Sequence, residues 1–219
     1  MARYLNTELV FKDRTDAGKQ LAKNLLSYNL KNPLVVALPR GGVAVAKPIS
    51  DLLDAKLDII VSKKIGAPNN PELAIGAVTS QGDYVISSYS EYELGNMKWD
   101  YLQEQIVYLI QDCKERERKY KQCGSKFETC LYTEKNVILV DDGTATGMTA
   151  LAAVKSIKKQ NPSFLILAIP VISLQAYDEI KNQVNKIETL KIPREFIAVG
   201  AHFLDFSPVT DDEIKKMLV

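Results

Sequence analysis

The chain has 219 residues, 46% of them hydrophobic and 25% charged, which supplies one sizeable core and at most a small appendage. With 28 Lys and Arg against 27 Asp and Glu the formal charge is +1, so no global basic field draws nucleic acid and any anion site must come from local placement of charge. The longest apolar runs, such as residues 164–172, fall short of the roughly 20 residues that cross a bilayer, and residues 1–14 hold no apolar signal core; the expected setting is cytoplasmic, with no membrane and no nucleic-acid partner.

Residues 10–28 begin with Asp13 as a helix cap and continue with Ala17, Leu21 and Leu25 at helical spacing, which predicts an amphipathic first helix that packs and does no chemistry. A short apolar run at 34–38 ends in Pro39, Arg40, Gly41 and Gly42, and residues 43–53 have helical character. A second strand is expected at 57–62, ending in Lys63 and Lys64, a third at 136–140 ending in Asp141 and Asp142, and a fourth at 164–169, a helix following each of the last two. Strands alternating with helices predict an α/β fold with a doubly wound, mainly parallel sheet flanked by helices. Ligands of such sheets bind beyond the carboxyl ends of the strands, where Arg40, Lys63, Lys64, Asp141 and Asp142 fall.

Residues 65–135 are too long for a simple crossover and need structure of their own. Residues 74–78 and 84–88 flank a Gln81-Gly82 turn and are expected to pair as a hairpin, while 97–120 carries Tyr101, Ile106, Leu109, Ile110 and Cys113 on one side of a long helix. Residues 187–192 and 196–199 read as short extended pieces and 211–218 as a terminal helix, forming with the first helix a small cap over the sheet. The three cysteines, Cys113, Cys123 and Cys130, contain no Cys-x-x-Cys pair, and His202 is the single histidine, so neither a disulfide framework nor a His-rich metal site is indicated. Beside Phe203, His202 reads as a packed or surface residue. Magnesium on oxygen ligands stays open.

The most informative stretch is residues 137–149, VILVDDGTATGMT. A buried strand delivers two adjacent carboxylates, Asp141 and Asp142, and then a loop of small and hydroxyl residues, Gly143, Thr144, Ala145, Thr146, Gly147, Met148 and Thr149, opens a helix. Free N–H groups at the start of that helix, its dipole and the threonine hydroxyls suit a phosphate, and the carboxylates suit sugar hydroxyls or magnesium. The ending is not Gly-Lys-Ser/Thr, and no Gly-x-Gly-x-x-Gly is present.

This stretch resembles the fingerprint of the type I phosphoribosyltransferases, and residues 11–18, 38–42, 66–77 and 196–200 with Asp205 and Phe206 are similar to a bacterial group of predicted phosphoribosyltransferases with no settled acceptor. The resemblance implies one domain over 1–219, with a core at about 30–186, an insertion at 65–135 that includes a flexible loop, and a hood from 1–29 and 187–219. It implies that Asp141 and Asp142 meet the ribose hydroxyls of phosphoribosyl pyrophosphate and hold Mg2+, that residues 143–149 wrap its 5-phosphate, and that Arg40, Gly41 and Gly42 bind pyrophosphate next to a strained Pro39-Arg40 peptide. Lys63 and Lys64 would neutralise the leaving group. The implied reaction is Mg-dependent transfer of the phosphoribosyl group to a nitrogenous small-molecule acceptor through an oxocarbenium-like transition state, in a chain that commonly dimerises. Ala145 stands where 6-oxopurine enzymes carry Asp, which weighs against that acceptor class. The alternative is a sensor that binds phosphoribosyl pyrophosphate or a nucleotide without turnover; phosphoribosyl pyrophosphate synthesis would need a second such domain.

Overall fold

The computed structural model describes residues 10–68, 70–87, 99–121 and 131–218. Five strands, β1 (Leu34–Ala37), β2 (Lys56–Ile59), β6 (Asn136–Val140), β7 (Phe164–Val171) and β8 (Lys186–Lys191), pair in parallel in the order β2-β1-β6-β7-β8. Their side chains alternate between two apolar layers, as the pleat requires. Val35, Ala37, Ile138, Val140, Ile166 and Ala168 share a core with Leu21 and Leu25 of α1 (Arg14–Leu25) and Val43, Val45 and Ile49 of α2 (Gly41–Leu52). Leu34, Val36, Val137, Leu139, Leu165 and Leu167 pack instead with Ala153, Val154 and Ile157 of α4 (Met148–Lys158) and Ala176 and Ile180 of α5 (Leu174–Ile180). Helices on both faces make the sheet doubly wound, and continuous apolar strands are what burial on both faces demands.

The insertion holds β3 (Ser62–Ala67), β4 (Asn70–Thr79) and β5 (Tyr84–Ile86) in an antiparallel sheet, followed by α3 (Trp99–Lys121). The predicted hairpin is present, with Ala77 opposite Val85, although residue 88 and the start of the expected helix at 97–98 lie outside the described residues. α3 is tied down by a buried ion network: Lys121 Nζ lies 3.2 Å from Asp58 Oδ1 and 2.8 Å from Glu117 Oε1, and Ser80 Oγ donates to Glu117. Cys113 is buried under α3 as a free thiol; Cys123 and Cys130 lie outside the described residues. No helix among the described residues is long and apolar enough to cross a membrane.

Four expectations need correction. The run 57–62 is not one strand: β2 ends at Ile59, and Ser62, Lys63 and Lys64 belong to β3 of the second sheet, where Ser62 Oγ donates to the Val78 carbonyl at 2.8 Å. Residues 187–192 do not cap the sheet; as part of β8 they extend it beside β7, and their half-polar pattern is that of an edge strand. α1 is part of the core layer against α2, because Ala17, Leu21, Ala22 and Leu25 are all buried. Residues 196–199 form no strand, and a single 3-10 turn covers Val199–His202. The terminal helix α6 (Asp211–Met217) forms with a full capping box at Thr210 and Glu213. It buries Ile214 in the same core as α1 and α2.

Candidate functional site

β1 and β6 are neighbours, yet the chain leaves β1 for β2 on one side and arrives at β6 on the other. Their carboxyl ends therefore mark the switch point of the sheet, where side chains from two crossovers diverge and leave a crevice. The Leu38 N–H donates to the Val140 carbonyl at 2.9 Å, so the two exit segments run side by side. After β1 comes Pro39-Arg40, joined by a cis peptide bond at the position singled out from the sequence. α2 begins at once with Gly41, whose hydrogen is all that fits: a Cβ there would fall 1.8 Å from Asp142 Oδ2. Gly42, buried, sits against the Val140 carbonyl.

Asp141 and Asp142 emerge from β6 into this crevice, both partly buried. Asp141 Oδ1 accepts the Asp142 N–H at 2.9 Å. Asp142 Oδ2 accepts from Arg14 Nε at 2.7 Å. The two side chains also meet each other through a hydrogen bond. Burial, and then the charge of Asp142, holds the Asp141 carboxyl well above the usual range, with Lys64 pulling it back. Burial also raises Asp142, and the Arg14 guanidinium opposes that rise.

The loop after the carboxylates is built from within. Thr144 is buried; its N–H donates to the Val171 carbonyl at 3.1 Å, its carbonyl accepts from Ser173 N–H at 3.0 Å and its Oγ1 accepts from Gly147 N–H at 3.0 Å. The Ser173 hydroxyl bonds the Ala145 carbonyl. Gly147 precedes α4 at φ 74°, a left-handed conformation that costs other residues about 1 kcal/mol or more. Gly143 is wedged between Val171 and Val199. The loop is thereby held open, with Ala145 exposed and the Thr146 and Thr149 hydroxyls without protein partners among the described residues, and the first N–H groups of α4 have no intrahelical acceptor. Met148 differs: its side chain is buried against Ala77 and Ala152, so only its backbone faces the loop.

The basic residues separate. Lys63 and Lys64 are successive on β3 and point to opposite faces. Lys64 is exposed and acts on Asp141, whereas Lys63 is paired with Asp112 of α3. Arg40 is half-exposed at the crevice, with Nη1 4.0 Å from Asp211 Oδ1, which also accepts from the Tyr120 hydroxyl at 2.8 Å. Arg14, Tyr120 and Asp211 were not singled out from the sequence; Arg14 lies in the 11–18 stretch that carries part of the family resemblance, within a helix read as packing. His202 is buried, its ring 5.7 Å from Phe196. A separate groove of about 730 Å3 lies on the outer face of α4, lined in part by Met148, Leu151 and Lys155, and does not include the carboxylates.

Among the described residues no group of three or more His, Cys, Asp or Glu is placed to hold a metal ion. Two neighbouring carboxylates form a hard, partial donor set of the kind that suits an ion keeping several waters and sharing ligand oxygens, as magnesium does.

A family model described as the phosphoribosyl transferase domain matches residues 4–203. The chain belongs to that family. Two Mycobacterium tuberculosis proteins, from strains CDC 1551 / Oshkosh and ATCC 25618 / H37Rv, are named as putative phosphoribosyl transferases and are each 32% identical to this chain over 211 residues. That match covers 95% of this chain and 46% of each relative, so the chain spans about half the length of these curated relatives. The crystal structure of TT1426 from Thermus thermophilus is similar throughout, with 35% identity, a TM-score of 0.79 and coverage of 96% of this chain and 98% of that one. In this phosphoribosyl transferase domain Asp141, Asp142 and the loop that follows them thus sit at the switch point of a doubly wound sheet.

Proposed function

We propose that the protein transfers a 5-phosphoribosyl group from phosphoribosyl pyrophosphate to a nitrogenous small-molecule acceptor and releases pyrophosphate. The observation that carries this reading is the succession of Asp141 and Asp142 at the end of β6 and a loop whose free N–H groups and hydroxyls lead into α4. An anionic loop ligand and a hydroxyl-bearing ring beside it satisfy both halves at once.

In this scheme Thr146, Thr149 and the backbone from Gly143 to Thr149 hold the 5-phosphate, Asp141 and Asp142 accept from the ribose hydroxyls, and Arg40 with the N–H groups at Gly41 and Gly42 meets the pyrophosphate. Lys64, exposed and with its charge acting on Asp141, supplies charge on the leaving-group side. Asp141 and Asp142 would hold magnesium, which would supply stabilisation of the departing pyrophosphate's charge. Breaking the bond at the anomeric carbon builds positive charge on the sugar, which the neighbouring carboxylates favour. No side chain has to form a covalent intermediate, which fits a crevice without a nucleophile and base pair.

The test is a pyrophosphate-release screen over purine, pyrimidine and small amine acceptors with magnesium present. Release with one acceptor class, lost in the Asp141→Asn, Asp142→Asn double variant, is the expected result. Phosphoribosyl pyrophosphate binding with no release for any acceptor would contradict transfer and indicate a sensor.

A further inference from the structure

Arg14 is the polar side chain at the crevice that the proposed reaction does not use, and its surroundings are unusually complete. Its side chain is 11% exposed, and that of Asp142 is 16% exposed. Nε donates to Asp142 Oδ2 at 2.7 Å and Nη1 donates to the Ser207 carbonyl at 2.9 Å. The flat guanidinium lies over the Phe206 ring, with Cζ 3.6 Å from the centroid, a stacking geometry open to Arg and closed to a point-charge ammonium. Phe206 is itself fixed by Phe203, centroids 4.9 Å apart, and Phe203 by Phe11 at 5.2 Å. Ser207 is fixed by Asp205 Oδ1, which accepts from both its N–H and its hydroxyl at 2.9 and 2.6 Å.

These contacts have one consequence for Asp142. Oδ2 is clamped between the guanidinium and Gly41, which fixes the Asp142 carboxylate beside the Asp141 side chain, whose Oδ1 accepts the Asp142 N–H. Two carboxylates held at fixed positions suit two neighbouring hydroxyls. We propose that Arg14, held by Phe206 and Ser207, is a positioning residue that fixes Asp142 so that the carboxylate pair recognises a vicinal diol, making the site selective for a ribose phosphate over a sugar phosphate lacking one hydroxyl. The inference rests on the ribose-phosphate reading of this site and adds to it a determinant of sugar specificity contributed by α1 and the 203–207 segment.

The experiment titrates ribose 5-phosphate, 2-deoxyribose 5-phosphate and inorganic phosphate into the protein, its Arg14→Met variant and its Phe206→Leu variant, following heat or a fluorescence change. The unaltered protein prefers ribose 5-phosphate to the deoxy sugar by about tenfold or more, the worth of a hydrogen bond to a charged acceptor. Arg14→Met reduces that preference to less than about threefold while inorganic phosphate binds as before; Phe206→Leu, which keeps the guanidinium and removes its platform, falls between. Uniform weakening of all three ligands, or an undiminished preference, would overturn the positioning role while leaving the ribose-phosphate site standing. Should Arg14→Met fail to fold, Phe206→Leu decides by the same preference. Binding of neither sugar phosphate to the unaltered protein would overturn the site reading itself, and the inference with it.

Discussion

Two adjacent lysines have different surroundings because the pleat of β3 turns them to opposite faces. The charge of Lys63 is already engaged by Asp112, and that of Lys64 acts on Asp141. Lys64→Ala should lower turnover by about tenfold, the scale of a charge-assisted contact, while Lys63→Ala changes it by less than about threefold; steady-state pyrophosphate release distinguishes them. His202 offers a pH test. Burial, and then the charge of Lys191, lowers its pKa from the ordinary 6.5, so the unfolded chain takes up a proton before the folded one does. Stability due to the neutral buried ring is therefore full above 6.5 and is lost as pH falls from there through the lower folded value. Between about pH 7.5 and pH 5.5 the protein's Tm should fall more than that of His202→Gln. Equal falls would place the ring's titration outside that window. The Asp-Asp pair was legible in the sequence because its chemistry is carried by contiguous residues. Arg14 was not, since its partner lies 128 positions away and nothing in the helical spacing of residues 10–28 distinguishes a buried arginine from a solvated one.

At the scale of elements, apolar runs were legible where both faces are buried, as in β1, β6 and β7, because a continuous run has one reading there. β8 was misassigned because at an edge it is buried on alternate positions only, which resembles a surface segment. The split of 57–62 into β2 and β3 escaped notice because the two halves belong to different sheets with no glycine or proline between them. The second sheet and α3 share an apolar cluster with Ile59 of β2, and an ion pair reinforces the junction. Asp58, with its side chain 1% exposed, faces Lys121 and has no partner for Oδ2. Removing one member of a buried pair leaves the other charge uncompensated, so Lys121→Met should cost about 3 kcal/mol in urea unfolding. A cost below about 1 kcal/mol would show that the α3 attachment depends on apolar contacts such as Leu102 and Tyr120.

Over the whole molecule, the chain order explains how one crevice receives groups from distant segments. Crossing from β2 to β6 through the insertion places Arg40 and Asp141 at adjacent strand ends, while the 203–207 segment returns to α1 and secures Arg14. The ligand should accordingly divide in two. Arg40→Ala weakens inorganic pyrophosphate by about tenfold and leaves ribose 5-phosphate within about threefold; equal losses would contradict the separation of the two halves. The measurement that tests the central claim most directly is calorimetric titration of phosphoribosyl pyrophosphate with and without magnesium, in the protein and in its Asp141→Asn, Asp142→Asn variant. Magnesium-dependent binding that disappears in the folded double variant is the predicted result, and binding that is absent in the protein or undiminished in the variant would contradict it.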